Sequence, residues 1–490
     1  MFSNFNYHTA STLNIRSQQE KQLLDLLSFA AETRFGTEHS FGTIQNYKDF
    51  TQKVPISFYD DISSRIKELK EGASDLFWPG DVSRFAVSAG TSGKGKHLPL
   101  TDQRLQSDRL FMRKIVRSYL RQRANIFGLL GTHISLPGIL EEKDGFEIGE
   151  ISAFTAQQAP WWLTPFQLIS TKELNRLPFS QKIDRILDEA AGKDVRVITA
   201  VPSWLLTIFQ RLLKTTGAHS IAEIWPNLQL LVCGGVKLAN YRPHLEQLLE
   251  STNVDFVETY GASEGYFSFT DDLQRTDMKL VVDNGIFYEF IPEPLPGQDS
   301  LSIQETVPLW EVEPGVPYAM LVTTNSGLWR YALNDIIRFI QTDSPRIEVL
   351  GRVSEMLDDY GEALYAYEAE QALREAAKTE NITIDAFTVG ASLEKGNAAP
   401  HHFWFLQTFD PIHPDILKRL AQNLDSILCE NNRHYAIRRE SDALGIPELH
   451  SISQQKINLW MEKCGKNKAQ GKLPAILRDE RDIQFFKGKL

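Results

Sequence analysis

The run Ser88 to Thr101, SAGTSGKGKHLPLT, packs glycines, hydroxyls and lysines into one short stretch. These are the residue types that wrap a phosphate in backbone amides and offset its charge. Gly90, Gly95 and Lys96 even stand at the spacing of a G-x-x-x-x-G-K loop. Position 97 is His, however, where such loops place a Ser or Thr on Mg²⁺, and HLPLT follows where they open a helix. Pro99 has no amide hydrogen and drives Leu98 towards extended geometry, so the run predicts a turn between two strands, RFAVS and HLPLT. A helix is expected afterwards through TDQRLQSDRLFMRKIVRSYL, with Thr101 as its N-cap. Taken alone, a Gly/Ser run of this kind reads first as a hairpin turn, and the rest of the chain must decide.

Three other stretches carry groups that would complete a nucleotide site. In TYGASEGYFSF, Thr259 to Phe269, small residues allow close backbone approach to a flat ligand. Tyr260 could stack on a base there, and Glu264 could hold Mg²⁺ beside phosphates. The plain alternative is a tight strand connection. In TTNSGLWRYALNDIIRF, Asp335 sits in a polar break between the strand-like runs GLWRY and IIRF. A carboxylate there could accept both hydroxyls of a ribose, although Asn-Asp equally suits a hairpin turn. Near the C-terminus, GKNKAQGKLPAILRD sets lysines among glycines, with Lys472 best placed to reach a phosphate and a solvated basic turn as the alternative. No H-E-x-x-H and no G-x-G-x-x-G occurs. His401 and His402 lie in HHFWF and read as sheet residues, since no third ligand stands at metal-site spacing.

The 490 residues are 42% hydrophobic with a formal net charge of −11. That average field attracts neither nucleic acid nor an anionic membrane. Cys233, Cys429 and Cys464 are far apart, which fits neither a zinc site nor a disulfide framework. The N-terminal stretch lacks the apolar core of a secretion signal, and nothing approaches a membrane span. A cytoplasmic protein, expected to be a monomer acting on small molecules, follows.

The elements that must position these loops alternate. Residues 11–36 predict an amphipathic helix with Leu23, Leu24, Leu27, Ala30 and Ala31 on one face and Gly36 as its stop. ANIFGLLGT, DVRVITA, LQLLVCGG and NVDFVETY read as buried strands. QKIDRILDEAAG and PSWLLTIFQRLLKTTG read as helices, the second with Pro202 in its first turn and Gly217 at its end. Such alternation predicts an α/β sheet whose ligands bind where strands end. From about Arg352 the pattern changes to a smaller α+β unit, giving an expected large domain over 1–351 and a small one over 352–490.

Taken in order, SAGTSGKGKHLPLT, LVCGGVKLANYRPHL, TYGASEGYFSF, LWRYALNDIIRF and GRVSEMLDDYGEAL resemble the successive motifs of the Gretchen Hagen family. This family comprises the auxin-responsive acyl-acid amido synthetases and their bacterial relatives, within the firefly-luciferase-like superfamily of adenylate-forming enzymes. The resemblance spans nearly the whole chain. It implies a large N-terminal α/β domain of the adenylate-forming type and a small, mobile α+β C-terminal domain that rotates about a hinge near Asp358 and Asp359. It further implies ATP and Mg²⁺, a carboxylic acid activated as its acyl-adenylate, and transfer to an amine, typically an amino acid. By this resemblance Ser88, Gly90, Thr91, Ser92 and Gly93 cradle the ATP phosphates, with Lys94 or Lys96 adding charge. Gly234, Gly235, Val236, Tyr260, Gly261, Ala262 and Ser263 line the adenine slot. Glu264 holds Mg²⁺, Asp335 and Arg352 bind the ribose, and Lys472, with Lys468 as a rival, reaches the phosphate. One departure stands out: the family's Tyr-Arg-x-Gly-Asp ending is YALND here, with Asn334 in the glycine's place.

The acyl site is expected among the helix after the phosphate loop, VPSWLL and SGLW, with Arg113 or Arg117 steering an acidic substrate and Trp204 and Leu328 lining it. Transfer to coenzyme A and a nucleotide-binding protein without catalysis, the latter prompted by Asn334, are the alternative functions.

Overall fold

The short apolar runs become strands in the computed structural model, which describes residues 15–88, 96–123, 126–250, 254–294, 298–353, 355–392, 400–408, 411–464 and 473–488. Thr132–Ser135, Val195–Ala200, Leu230–Gly234 and Asp255–Ala262 pair in parallel. Parallel neighbours need a crossover between them, and helices such as Pro202–Thr216 and Arg242–Leu249 supply it. Pro202 opens the first of these and Gly217, at φ 75°, closes it. The parallel strands form one end of an eleven-stranded sheet that continues antiparallel through Gly265–Phe269, Met278–Leu280, Arg346–Arg352, Tyr331–Gln341, Pro317–Thr324 and Ile286–Pro292 to Val307–Pro308. A separate four-stranded sheet contains Lys96–Pro99 and Arg84–Ser88, antiparallel, with Ser88 opposite Lys96. This mixed α/β sheet architecture is the fold class expected from the alternation.

The described residues fall into two compact units that part between Val349 and Leu350. In the second, a four-stranded sheet runs Glu448–Ile452, His401–Gln407, Ala386–Ser392, Ile476–Leu477. The helices Ala366–Thr379 and Pro414–Asn431 share its core, with Ala369, Ala372, Ala376, Leu420 and Leu424 packed with Trp404. His401 and His402 are strand residues, and the buried His402 ring pairs through Nε2 with Glu362 Oε1 at 2.8 Å. No helix among the described residues is long and apolar enough to cross a membrane.

Several sequence expectations need correction. The first helix ends at Phe29, and Gly36 lies inside a second short helix, Arg34–Glu38. A Cβ at Gly36 would meet the Ala30 carbonyl oxygen at 2.1 Å, so glycine is required there by close packing and does not act as a stop. Leu24 is exposed, and Leu26 joins Leu23, Leu27 and Ala30 in the core, the i, i+3, i+4, i+7 stripe of a helix packed on one side. ANIFGLLGT is not one strand: Ile126–Leu129 is a 3₁₀ turn, and the strand begins at Thr132. Gly131 separates them because a side chain there would collide with Arg196 and the Asp194 carbonyl.

The largest aromatic core surrounds a buried ion pair. Arg330 Nε donates to Glu289 Oε1 at 3.0 Å, Nη1 to the Val54 carbonyl at 2.8 Å and Nη2 to Thr306 Oγ1 at 2.8 Å. Glu289 is fully buried. Removing one partner of such a pair leaves the other charge uncompensated. Glu289→Ala is therefore expected to cost roughly 3–5 kcal/mol of unfolding free energy, measured by urea denaturation. A loss below about 1 kcal/mol would mean that water reaches Arg330.

Candidate active site

The strands Asp255–Ala262 and Gly265–Phe269 form a hairpin in which Ala262 pairs with Gly265, so Ser263 and Glu264 are its two-residue turn. The glycines are dictated by crowding. A Cβ on Gly261 would lie 2.5 Å from Tyr266 Cδ1, and one on Gly265 would lie 2.5 Å from Phe267 Cε1 and 2.8 Å from Ile286 Cδ1. The turn is thereby pressed inward, and Glu264 is buried. Gly261 to Gly265 also spells G-x-S-x-G, but a nucleophile elbow needs a strand-to-helix turn that exposes the serine. Ser263 is buried in a strand-to-strand turn. The tight strand connection, posed by the sequence as the plain alternative, is present, and it carries a buried carboxylate.

Burial pushes the Glu264 carboxyl up to about 7. A hydrogen bond to its own backbone opposes the rise, Asp335 adds to it, and Lys96 and Arg104 oppose it. Asp335 is itself buried and accepts a hydrogen bond from Tyr260 Oη at 2.8 Å. The expected polar break at Asp335 is no hairpin: Tyr331–Gln341 is one strand whose register with its neighbour shifts between Ala319 and Leu321. Asn334 sits in it at φ 62°, left-handed geometry that asparagine tolerates better than most side chains. That conformation accounts for an asparagine at this position. Lys96, at the start of its strand, places its ammonium 5.6 Å from the Tyr59 ring centre, and Tyr59 Oη accepts from the His97 amide.

The strand end at Gly234 lies beside this hairpin, with Gly234 opposite Thr259. A Cβ on Gly234 would come within 2.5 Å of Thr259 Oγ1, and Gly235 follows at φ 80°. Glu258 Oε1 accepts the Leu238 amide at 2.7 Å and so ties down the loop through Gly235 and Val236. The structure thus gathers Gly234 to Val236, Tyr260 to Glu264 and Asp335 in the first unit, with Lys96 close enough to act on the Glu264 charge.

Other expected residues fall elsewhere. Tyr260 is not a free stacking surface, since its ring is buried 5.1 Å from Phe267. Arg113 and Arg117 project from the exposed side of the helix Asp102–Arg123, away from the buried side that carries Arg104 and Asp108. Trp204 and Leu328 are buried in separate apolar cores. Arg352 belongs to the second unit and is exposed, with its carbonyl accepting the Glu355 amide. Ser88 ends its strand opposite Lys96, whereas Gly90, Thr91, Ser92, Gly93, Lys94, Lys468 and Lys472 lie outside the described residues. The sequence reading missed Arg104. Its i, i+4 spacing to Asp108 just after an N-cap was the available signal.

This architecture is that of the adenylate-forming ligases. It matches a 2-hydroxyisobutyryl-CoA ligase bound to 2-HIB-AMP in the postadenylation state, with a TM-score of 0.58 and 10% identity over 99% of this chain and 96% of that one. It matches the GH3.15 acyl acid amido synthetase with a TM-score of 0.75 and 17% identity over 97% of this chain and 95% of that one. The chain belongs to the GH3 (Gretchen Hagen 3) family: the family's N-terminal domain matches residues 6–182, its central domain 279–352 and its C-terminal domain 367–481. Among relatives, the indole-3-acetic acid-amido synthetase GH3.4 of Arabidopsis thaliana is 22% identical over 434 residues, covering 75% of this chain and 72% of the relative.

The raised Glu264 carboxyl makes a prediction for the protein without ligands. Its ordinary value is 4.5, so between pH 4.5 and about 7 the folded state holds more protons than the unfolded state. The associated stability is fully present below pH 4.5 and is lost as pH rises through about 7. The stability of wild type relative to Glu264→Gln should fall by roughly 3 kcal/mol over that window, read from urea melts at several pH values. A difference independent of pH would show that Glu264 ionises as it does in water.

Proposed function

We propose that this protein is an ATP-dependent acyl-acid amido synthetase. It adenylates a carboxylic acid and then joins the acyl group to an amine, an amino acid in this reading, with release of AMP. The observation that carries the proposal is the buried Glu264, Asp335 and Tyr260 cluster of a GH3 chain. In the first step a carboxylate oxygen of the acid attacks the α-phosphorus of ATP, the bond to the bridging oxygen breaks, and pyrophosphate leaves. In the second, the amine nitrogen attacks the acyl carbon, the carbon–oxygen bond to AMP breaks, and the nitrogen gives up its proton. Both steps move negative charge onto phosphate oxygens and gain from fixed positive groups.

The residues fit Mg²⁺. A cation that takes most of its ligands from phosphates and water needs one or two protein carboxylates. Glu264 is such a group, buried and proton-retaining because its charge lacks solvation. When bound, Mg²⁺ supplies charge stabilisation to the triphosphate. Tyr260 holds the Asp335 carboxylate in one orientation, towards the ribose in this reading. Gly234, Gly235 and Val236 with Gly261, Ala262 and Ser263 flank the base, and their missing or small side chains leave room for it. In this reading Lys96 and the segment holding Ser88, Gly90, Thr91, Ser92, Gly93 and Lys94 serve the phosphates. Asn334 weighs against the reading without catalysis, because its backbone already has the left-handed form that the position demands. Cys233, Cys429 and Cys464 form no disulfide among the described residues, which suits a reducing cytoplasm, where ATP is also plentiful.

The test is ATP–pyrophosphate exchange with pooled carboxylic acids and Mg²⁺. Acid-dependent exchange is expected in wild type, falling at least about 100-fold in Glu264→Ala and Asp335→Ala. AMP release should then rise on adding amino acids and not on adding coenzyme A. The opposite acceptor preference would make the protein an acyl-CoA ligase. ATP binding without exchange for any acid would remove the catalytic reading.

A further inference from the structure

Arg104 and Asp108 are each 1% exposed, one helical turn apart near the start of Asp102–Arg123, with Arg104 Nε donating to Asp108 Oδ1 at 2.8 Å. Burying such a pair costs desolvation that its own attraction recovers only with further hydrogen bonds, and apolar residues of similar size would stabilise the fold at least as well. Among the described residues Arg104 Nη2 and Asp108 Oδ2 have no hydrogen-bond partner, so the pair is not fully compensated. What it does hold is specific. Arg104 Nη1 donates to the Ser263 carbonyl at 3.3 Å and to the Glu264 carbonyl at 2.5 Å. Two consecutive carbonyls fixed by one nitrogen set the plane of the turn and hence the direction in which the Glu264 side chain leaves the backbone. The Arg104 amide is capped by Thr101 Oγ1, which donates to the Asn325 carbonyl, so the helix start is anchored as well.

We propose that Arg104, oriented by Asp108, is a positioning residue that aims the Glu264 carboxylate at the Mg²⁺-bound triphosphate. The proposal rests on the adenylation reading. It requires an arginine, because a planar fork can meet the aspartate and both carbonyls at once and a lysine cannot.

The test compares wild type, Arg104→Met, Arg104→Lys and a control, Arg346→Met. The control breaks another buried pair, Arg346 Nε to Asp277 Oδ1 at 2.8 Å, on the eleven-stranded sheet and without a bond to the Ser263–Glu264 turn. Two quantities are read: affinity for ATP with and without Mg²⁺ by isothermal titration calorimetry, and the Mg²⁺ concentration that half-saturates pyrophosphate exchange. In Arg104→Met the MgATP affinity should fall and the half-saturating Mg²⁺ should rise by about 10- to 100-fold. Metal-free ATP affinity should stay within about twofold of wild type, since that nucleotide makes no use of Glu264 through a cation. Arg104→Lys should fall between the two, and Arg346→Met should lower Tm while leaving both Mg²⁺ readouts unchanged. Wild-type Mg²⁺ behaviour in Arg104→Met, or an equal change in Arg346→Met, overturns the proposal. Should Arg104→Met not fold, Arg104→Lys and Asp108→Asn carry the same readouts. Failure of the adenylation reading looks different: wild type would bind MgATP without acid-dependent exchange, and the calorimetry would still decide the role of Arg104.

Discussion

Two carboxylates held out of water within reach of each other's field are the constraint around which the large unit is arranged. Neither Glu264 nor Asp335 is stable as an anion in that setting unless something answers its charge. Tyr260 answers one with a hydroxyl, and Lys96 and Arg104 partly answer the other. Glu264 still keeps a proton far more readily than an exposed glutamate. In the proposed reading, the cation of a metal-bound nucleotide would answer the remaining charge.

Local features around the site follow from the need to bring backbone close to backbone. Gly234, Gly261 and Gly265 each stand where a methyl group would overlap a neighbour. The Ser263–Glu264 turn could not be pressed inward otherwise, and Arg104 would lose the carbonyls it holds. The same economy appears at Asn334, where a left-handed residue interrupts the strand without ending it.

Much of this was legible in the chain. The parallel strands, the Pro202–Gly217 helix limits, the Thr101 cap and the strand pair around the glycine run all follow from local rules. Local rules failed where the deciding partner is remote. Leu24 and Leu26 look equivalent until the helix has a side to pack against. Gly131 and Gly36 read as punctuation until the chain that crowds them is in place. Arg113 and Arg117 follow the glycine-rich run in sequence, yet helical geometry turns them away from the buried face that Arg104 occupies.

The sequence by itself determined the residue types, their order and the alternation of elements, because strand and helix periodicity and turn chemistry act over a few residues. Only the tertiary structure decided that Tyr260 meets Asp335. Three strands stand between theirs in the sheet order, a separation of about 19 Å if the sheet were flat. The 2.8 Å hydrogen bond exists because the sheet curls. Curvature of that kind is a sum of twists over many residues, set by packing on distant cores, and no short stretch of sequence carries it.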